Sequence, residues 1–538
     1  MKKTFVSVFA FVLSLMMIVS SASACTSLYA GAAMTADGSI LLSRSEDLAN
    51  NYNKMQFVIE PGVHKAGEVY NGCYGFTYTF THDSYGYTAF QDDNMYGVDN
   101  VCPDCGGTHL HTPYQEGGTN EKGLTVSSSE AMTAVSEILA LEPFEADGGI
   151  DQAEIPTILL SECSTAKEAL DMLMNFYDTV GTATGSGLWI FDKDEAYYIE
   201  NGCSHQYLAI KLNDTLVMVQ PNMSILGLID LDDENVIASA GLIATAKAAG
   251  TYVGDEEANT ININASYYNK ANQKQSVRMT NALNFLNGVD TFTNDEGNYD
   301  PTAFCVSNVD ADGSIVPLYT AIKPDHTLTI EDVLAFYHLG GVSNTGNLET
   351  HIYNYVPGSA DPTDIQEWVA MATTGLSVFV PYLPMLTIDV YDGLKLSTAT
   401  AYFTTEKPAD GAFYPTTGKV TNEAGEKVTV DGFMVMPSDW ADSVYWTMDV
   451  LANLYLNNAM DQTAKDMVDA ALAGMQNVMV DQYLAEGNGV LATVKALYAA
   501  GDVDAAKALV TNTAMIYSED AHQMCVKLVK AIMNGLYD

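Results

Sequence analysis

Positive charge is scarce in this chain: its 538 residues carry 23 Lys+Arg against 68 Asp+Glu, a formal net charge of −45. Charged residues make up only 17%, below the usual quarter or so, and the acidity therefore comes from missing bases more than from acidic tracts. A surface of that sign excludes nucleic acid and anionic membranes as partners, since both would repel it. Cysteine is also rare, eight in the whole chain, too few for a disulfide scaffold. No segment beyond the first two dozen residues approaches ~20 uninterrupted apolar residues, so no membrane span is expected. Fixed-period repeats, low-complexity linkers and a glycine-rich phosphate loop are missing as well, and no cofactor is expected. What remains is globular: 48% hydrophobic and 10% aromatic, at a length that suits one large domain with appendages or two to three domains.

Residues 1–24 read as a secretory signal. Lys2 and Lys3 open it, a mostly apolar run extends from Phe5 to Val19, and Ala22 and Ala24 supply small residues at a cleavage point. Cleavage there makes Cys25 the new N-terminus and the mature protein an exported one. Three readings of Cys25 follow: a catalytic thiol, an inert thiol, or a lipid-anchor site on a surface binding protein. The lipid signal usually carries Leu three residues before its Cys, where this chain has Ala22.

An N-terminal Cys combines a thiol of pKa ~8.5 with an α-amine of pKa ~8 on one residue. The amine can take the thiol proton and later return a proton to a leaving amine, so no separate His is needed. After Cys25 comes a short, largely apolar strand candidate, 26–33, then the turn Thr35-Ala36-Asp37-Gly38 and a second strand, 39–43. A hairpin about that turn folds Arg44 and Asp47 back to flank the thiol, unless the two simply form a surface ion pair.

These residues resemble a known family. Cys25-Thr26-Ser27, Ala36-Asp37-Gly38-Ser39 and Arg44-Ser45-Glu46-Asp47 are similar to the opening of the N-terminal-nucleophile dipeptidases related to lactobacillal dipeptidase A. Gly118 to Leu124, which contains Asn120, and Ser127 to Glu130 resemble that family's Asn-Glu strand pair. Tyr198-Ile199-Glu200 through Tyr207, Gln220-Pro221-Asn222, Thr350-His351-Ile352, Trp368 to Met371 and Ser377 to Pro381 resemble later segments, with Ser204 and Tyr207 as departures. The resemblance covers roughly residues 25–455. It implies an α+β fold, a four-layer αββα sandwich, and hydrolysis of short peptides, mainly dipeptides. It further implies Cys25 as nucleophile, Arg44 and Asp47 as groups that orient and polarise it, and Asn222 as an oxyanion donor. Arg278 loosely matches the last catalytic Arg of the wider superfamily, which includes bile-salt hydrolases and penicillin V acylases. An N-acyl amide is therefore a second possible substrate class. Asn120 and Glu130 are the substrate-binding candidates: a carboxylate at Glu130 can pair with a dipeptide's ammonium, or it can serve the dipole of a helix expected over Ala131–Leu141.

Strand-and-turn patterning dominates residues 25 to about 219, broken by a helix over Ser164–Tyr177, and points to antiparallel sheets in a mixed fold. The hydrolase core is expected over 25–437 and a helical C-terminal region over 438–538. There Ser438 or Asp439 is a candidate cap, and helices are expected over Asp461–Leu484, Val490–Ala500, Val503–Thr513 and Glu519–Met533. Cys102 and Cys105, with His109 and His111, form a weak metal candidate whose spacing is too short for finger geometry; a disulfide or two reduced thiols are the alternatives. The acidic run Asp230 to Glu234 reads as a solvated loop.

Overall fold

The computed structural model describes residues 25–48, 53–93, 114–130, 132–268, 277–287, 324–422, 426–457 and 459–537. Residues 1–24 and the Cys102, Cys105, His109 and His111 cluster lie outside them.

Thr26 to Asp47 forms the expected hairpin. Strand β1 (Thr26–Ala30) pairs antiparallel with β2 (Ile40–Asp47), with Ser27 opposite Arg44 and Thr26 opposite Ser45. The turn is closed locally: Asp37 Oδ1 accepts from the Ser39 backbone N–H at 3.0 Å and from its hydroxyl at 2.6 Å. Gly38 takes the left-handed φ of 77° that the turn requires and a Cβ would strain.

This hairpin sits inside a six-stranded antiparallel sheet completed by β10 (Val217–Gln220), β12 (Asn347–Tyr355), β13 (Ile365–Met371) and β14 (Val380–Tyr382), in the order β10-β1-β2-β12-β13-β14. A second six-stranded sheet comprises β5 (Gly117–Thr119), β6 (Thr125–Glu130), β7 (Ser186–Phe191), β8 (Ala196–Asn201), β9 (Tyr207–Lys211) and β11 (Val236–Ala238), in the order β11-β9-β8-β7-β6-β5. The two pack face to face. Tyr29 stacks on Trp189 with ring centroids 6.1 Å apart, Phe191 stacks on Tyr355 at 4.9 Å, and Ser127 reaches His351 at 2.8 Å.

Side chains alternate along a strand, so residues next to these inward ones point outward and need cover. On the second sheet Leu188, Ile190 and Ile199 pack under α1 (Ile155–Glu162) and α2 (Ala166–Thr179), whose Leu159, Leu170, Leu173 and Tyr177 are buried in the same cluster. On the first, Trp368 meets Tyr483 edge-on at 5.5 Å, from α5 (Gln462–Leu484). Tyr382 bonds Ser518 at 3.0 Å, from a long helix, Val503–Tyr537. Helices also cover this face at α4 (Val444–Leu456) and α6 (Val490–Ala499). The result is a four-layer αββα sandwich, α+β with antiparallel sheets.

Three expectations need correction. Among the described residues of the helix expected over Ala131–Leu141 only one helical turn forms, Ser136–Leu139. In the C-terminal region neither Ser438 nor Asp439 caps a helix with its side chain; Ser443 caps α4, accepting from the Trp446 N–H. And the two helices expected over 503–533 are one, α7 (Val503–Tyr537). Val510, Ala514, Tyr517, Ala521, Cys525, Val529 and Met533 recur at helical spacing without a break, all buried, and Ser518 spends its hydroxyl on Tyr382 instead of a cap. By contrast, Asp461 caps α5 through its side chain at the head of the helix expected there, and Thr165 caps α2, one residue inside the stretch expected from Ser164. Residues 402–435 add a small three-stranded sheet that the sequence patterning did not reveal. Of the run Asp230 to Glu234, expected as a solvated loop, Asp232 to Glu234 lie on an exposed turn, whereas Asp230 ends a short strand, Leu228–Asp230, paired with Thr260–Asn262.

Candidate active site

Cys25 stands immediately before β1, which is paired on both edges, to β10 and β2. Its thiol is buried, only 5% of the residue being exposed. Arg44, opposite Ser27 and so two residues from Cys25's level on the neighbouring strand, donates from Nη2 to Cys25 Sγ at 3.4 Å. Arg44 is itself buried, and its Nε and Nη1 find no acceptor among the described residues. Burial opposes its charge, but the Cys25, Glu46 and Glu349 groups outweigh that and keep it a guanidinium. Burial pushes the Cys25 thiol up; Arg44 pulls it down, and Asp47 and Glu46 push it up again. The thiol therefore holds its proton until a base takes it.

Asp47 ends β2 and is fixed by two amides: Asn344 Nδ2 donates to Oδ2 at 2.7 Å and Asn347 Nδ2 to Oδ1 at 2.6 Å. Burial raises its pKa to about 6 despite those donors and the nearby Arg278 charge. Arg278, in the first turn of α3 (Val277–Asn287), is the weakest match in the sequence and among the most directly placed side chains. Its Nη1 donates to the Cys25 carbonyl at 2.6 Å, to Thr26 Oγ1 at 3.0 Å and to Asn222 Oδ1 at 3.5 Å. Asn222 follows β10 with φ of 38°, a left-handed conformation that Asn tolerates better than most residues. A guanidinium only donates, so the Asn222 oxygen faces Arg278 and its amide NH2 points elsewhere. Thus Cys25, Arg44, Asp47, Asn222 and Arg278, spread over 254 positions of the chain, converge on one end of the first sheet.

The two substrate-binding candidates fare differently. Asn120 lies in the β5–β6 turn with its amide saturated by backbone: Nδ2 donates to the Leu160 and Cys163 carbonyls, at 2.9 and 2.8 Å, and Oδ1 accepts from the Lys122 and Leu124 N–H groups. The expectation that Asn120 binds substrate is therefore corrected to a structural role, pinning the hairpin to α1. Glu130 closes β6 opposite Ser186. The helix whose dipole it was to serve begins only at Ser136, and the acidic residue in that turn is Glu137.

Sequence reasoning missed a charged interior between the sheets. Lys54, on β3 (Lys54–Ile59), places Nζ 2.5 Å from Glu46 and 2.8 Å from Asp92, the last residue of β4 (Tyr87–Asp92), and also pairs with Glu116. All four are buried. These three carboxylates are close enough together to suggest a cation site, but the lysine ammonium already fills it. A second converging set, Cys73, Asp151 and Glu154, has its Glu154 oxygens taken by the Cys73 and Asp151 backbone N–H groups. The available signal was charge at inward positions of apolar strands, as in Arg44, Glu46 and Lys54, which a helix-or-strand reading treats as noise.

A family model described as "Peptidase family C69" matches residues 24–407. "Probable dipeptidase B" of Streptococcus pyogenes serotype M1 is 31% identical over 279 residues, covering 52% of this chain and 53% of the relative. "Probable dipeptidase" of Salmonella dublin is 28% identical over 234 residues, 43% of this chain and 50% of the relative. The chain spans about half the length of the curated relatives it matches. Among solved structures, "Structure of Penicillin V acylase from Agrobacterium tumefaciens" aligns with 66% of this chain and 85% of its own, at a TM-score of 0.30 and 13% identity.

Proposed function

The chain belongs to peptidase family C69, and on that premise we propose that it is a cysteine dipeptidase acting through Cys25 after loss of residues 1–24. The observation that carries the reading is the pair of buried guanidinium groups directed at one residue, Arg44 at the Cys25 sulfur and Arg278 at its carbonyl. Burial of Cys25 speaks against a lipid anchor, which would have to leave the protein at that point.

In this reading the free α-amine of Cys25 takes the thiol proton, since burial keeps the thiol protonated by itself. The thiolate, stabilised by Arg44, attacks the scissile carbonyl carbon and its C=O electrons move onto oxygen. Asn222 supplies a side-chain donor to that oxyanion. Collapse breaks the C–N bond, the α-ammonium returns its proton to the leaving amine, and a thioester remains. Water, deprotonated by the same amine, attacks the thioester and releases the acid and the thiol. Asp47, held by Asn344 and Asn347, fixes the strand end that carries Arg44 and adds a negative charge facing Arg278. Glu130 is the proposed partner of the substrate ammonium. The leader implies export of the enzyme.

The test is mass spectrometry of the mature N-terminus with turnover of a dipeptide panel. A free Cys25 amine and complete loss of turnover in Cys25→Ala are expected. Undiminished hydrolysis by that variant refutes the nucleophile. For Glu130→Gln, kcat/KM on free dipeptides should fall about 10-fold while N-acetylated analogues are spared, as loss of one charge-assisted bond implies. Equal losses on both would remove Glu130 from recognition.

A further inference from the structure

Behind Arg44, Glu349, His351 and Ser127 form a chain that crosses from one sheet to the other. His351 Nδ1 lies 3.1 Å from both carboxylate oxygens of Glu349, and Nε2 lies 2.8 Å from Ser127 Oγ. Phe90 stacks on the imidazole at 5.1 Å and 12°, and Glu349, His351 and Ser127 are each fully shielded from solvent. The residue types are those of a serine hydrolase triad, but no substrate can reach a Ser sealed between two sheets. Its place points to another use. On β12, His351 is paired opposite Arg44 and Glu349 opposite Glu46, so both share the inward face that carries the guanidinium.

Arg44 touches Cys25 through Nη2, while Nε and Nη1 have no hydrogen-bond acceptor among the described residues. A guanidinium with two idle donors is held by the field of nearby charge and by packing, and the carboxylates acting on it are Glu46 and Glu349. Glu46 is bound up with Lys54. Glu349 is fixed by His351, whose Nδ1–H can donate to it while Nε2 is tied to the opposite sheet. We propose that Glu349, clamped by His351 and Ser127, is a positioning residue that holds the Arg44 guanidinium against the Cys25 sulfur. The inference rests on the reading of Cys25 as nucleophile; its test reads the thiol itself and so fails separately from that reading.

The readout is the pH dependence of Cys25 alkylation by iodoacetamide in the processed protein, mapped to the Cys25 peptide by mass spectrometry, with kcat and KM on a dipeptide. The charges reaching the thiol are Arg44, Asp47 and Glu46, with Arg278 at its carbonyl. Removing a negative charge near a thiol should by itself lower the alkylation midpoint. Glu349→Gln is expected to raise it instead, by about one unit, because Arg44 drifts from the sulfur. kcat should fall about 10-fold with KM little changed. A midpoint that falls or stays put overturns the proposal. Where that variant does not fold, His351→Asn and His351→Gln decide. The Asn amide can still donate to Glu349 and should keep the wild-type midpoint, while Gln reaches Ser127, releases Glu349 and should show the rise. Equal midpoints in both, with lowered melting temperatures, would reduce the chain to a pin between sheets and overturn the positioning role.

Discussion

Replacing Lys54 by Met removes one positive charge from a place that holds three carboxylates, and the structure sets both the size of the damage and its pH dependence. The lysine side chain has no solvent exposure and pairs with Glu46, Asp92 and Glu116, each exposed by 5% or less at the side chain. Methionine matches its length, so the loss is one of charge more than of volume. Taking one partner out of a buried ion pair costs about 3–5 kcal/mol, because the remaining charge stays desolvated and uncompensated. Lys54 itself titrates far above the working range, since its carboxylates outweigh the burial that opposes its charge, so its contribution is constant from pH 5 to 9. Glu116 is the partner whose titration is displaced. Glu116 is already pushed well above the carboxylate range, by burial first and then by Glu46, with Lys54 pulling the other way. Without Lys54 its folded pKa rises further. A carboxyl whose folded pKa lies above its unfolded one loses stability as pH rises between the two values, so acidification should rescue the variant. Thermal melts by calorimetry should show a gap from wild type on the order of 5–10 °C at pH 8 and distinctly less at pH 5. Adding Glu116→Gln should recover much of the pH 8 loss. A gap equal at both pH values and untouched by the second change would refute the charge reasoning and leave lost packing as the cause.

The remaining predictions concern other groups. Burial raises the pKa of Asp47 to about 6, Glu200 to about 7, Asp449 to about 7 and Glu367 to about 8, so their contribution to the wild-type melting temperature should fall as pH rises from about 4 to about 8, where the unfolded carboxyls are ionised and these are still protonated. His522, dropped to about 4 by burial, adds stability only between pH 4 and 6.5, one group against four, so it softens the fall there without reversing it; a flat or rising profile between pH 6 and 8 would contradict this. Asn222→Ala and Asn222→Gly should both lower kcat by about 10²–10³-fold, the usual effect of losing one oxyanion donor. Only Ala, forced to a positive φ, should also lose about 1 kcal/mol of stability in denaturant titration, and an unchanged kcat in either would misplace the donor. Asn120→Ala should cost roughly 2–3 kcal/mol by leaving buried backbone groups unpaired, with kcat/KM unchanged; lost activity at full stability would restore it to substrate binding.

How much of this was legible depends on sequence distance. The Cys25 hairpin could be read because Asp37-Gly38 is local turn chemistry and the strands adjoin it. Asp461, the first residue of its expected helix, announced that helix for the same reason. Arg278 rested on resemblance alone, since nothing local distinguishes an arginine that bonds a carbonyl 253 positions earlier. Asn344 and Asn347, which hold Asp47, and the Lys54 cluster carried no pattern at all, because their partners come from other strands and their charge runs against the apolar periodicity used to find those strands. Asn120 misled for a related reason: a conspicuous polar residue in a turn is most often spent on the turn's own backbone.

The order of strands in the first sheet governs when the molecule can be assembled. β2 lies between β1, its chain neighbour, and β12, so that Arg44 pairs with His351 across 307 positions of sequence. A growing chain can complete the second sheet and its helices α1 and α2 from residues 117–238 alone, while β1 and β2 wait without their inner partner or the helices that cover them. Contacts this distant close slowly and late, after the entropy of a large loop has been overcome. The thiol site is therefore among the last parts of the fold to form, and a nascent chain, or one truncated before β12, should contain Cys25 and its hairpin neighbours Arg44 and Asp47 without Asn344 and Asn347, which hold Asp47, or Glu349 and His351. Such fragments should be targets for proteolysis and aggregation before they are catalysts.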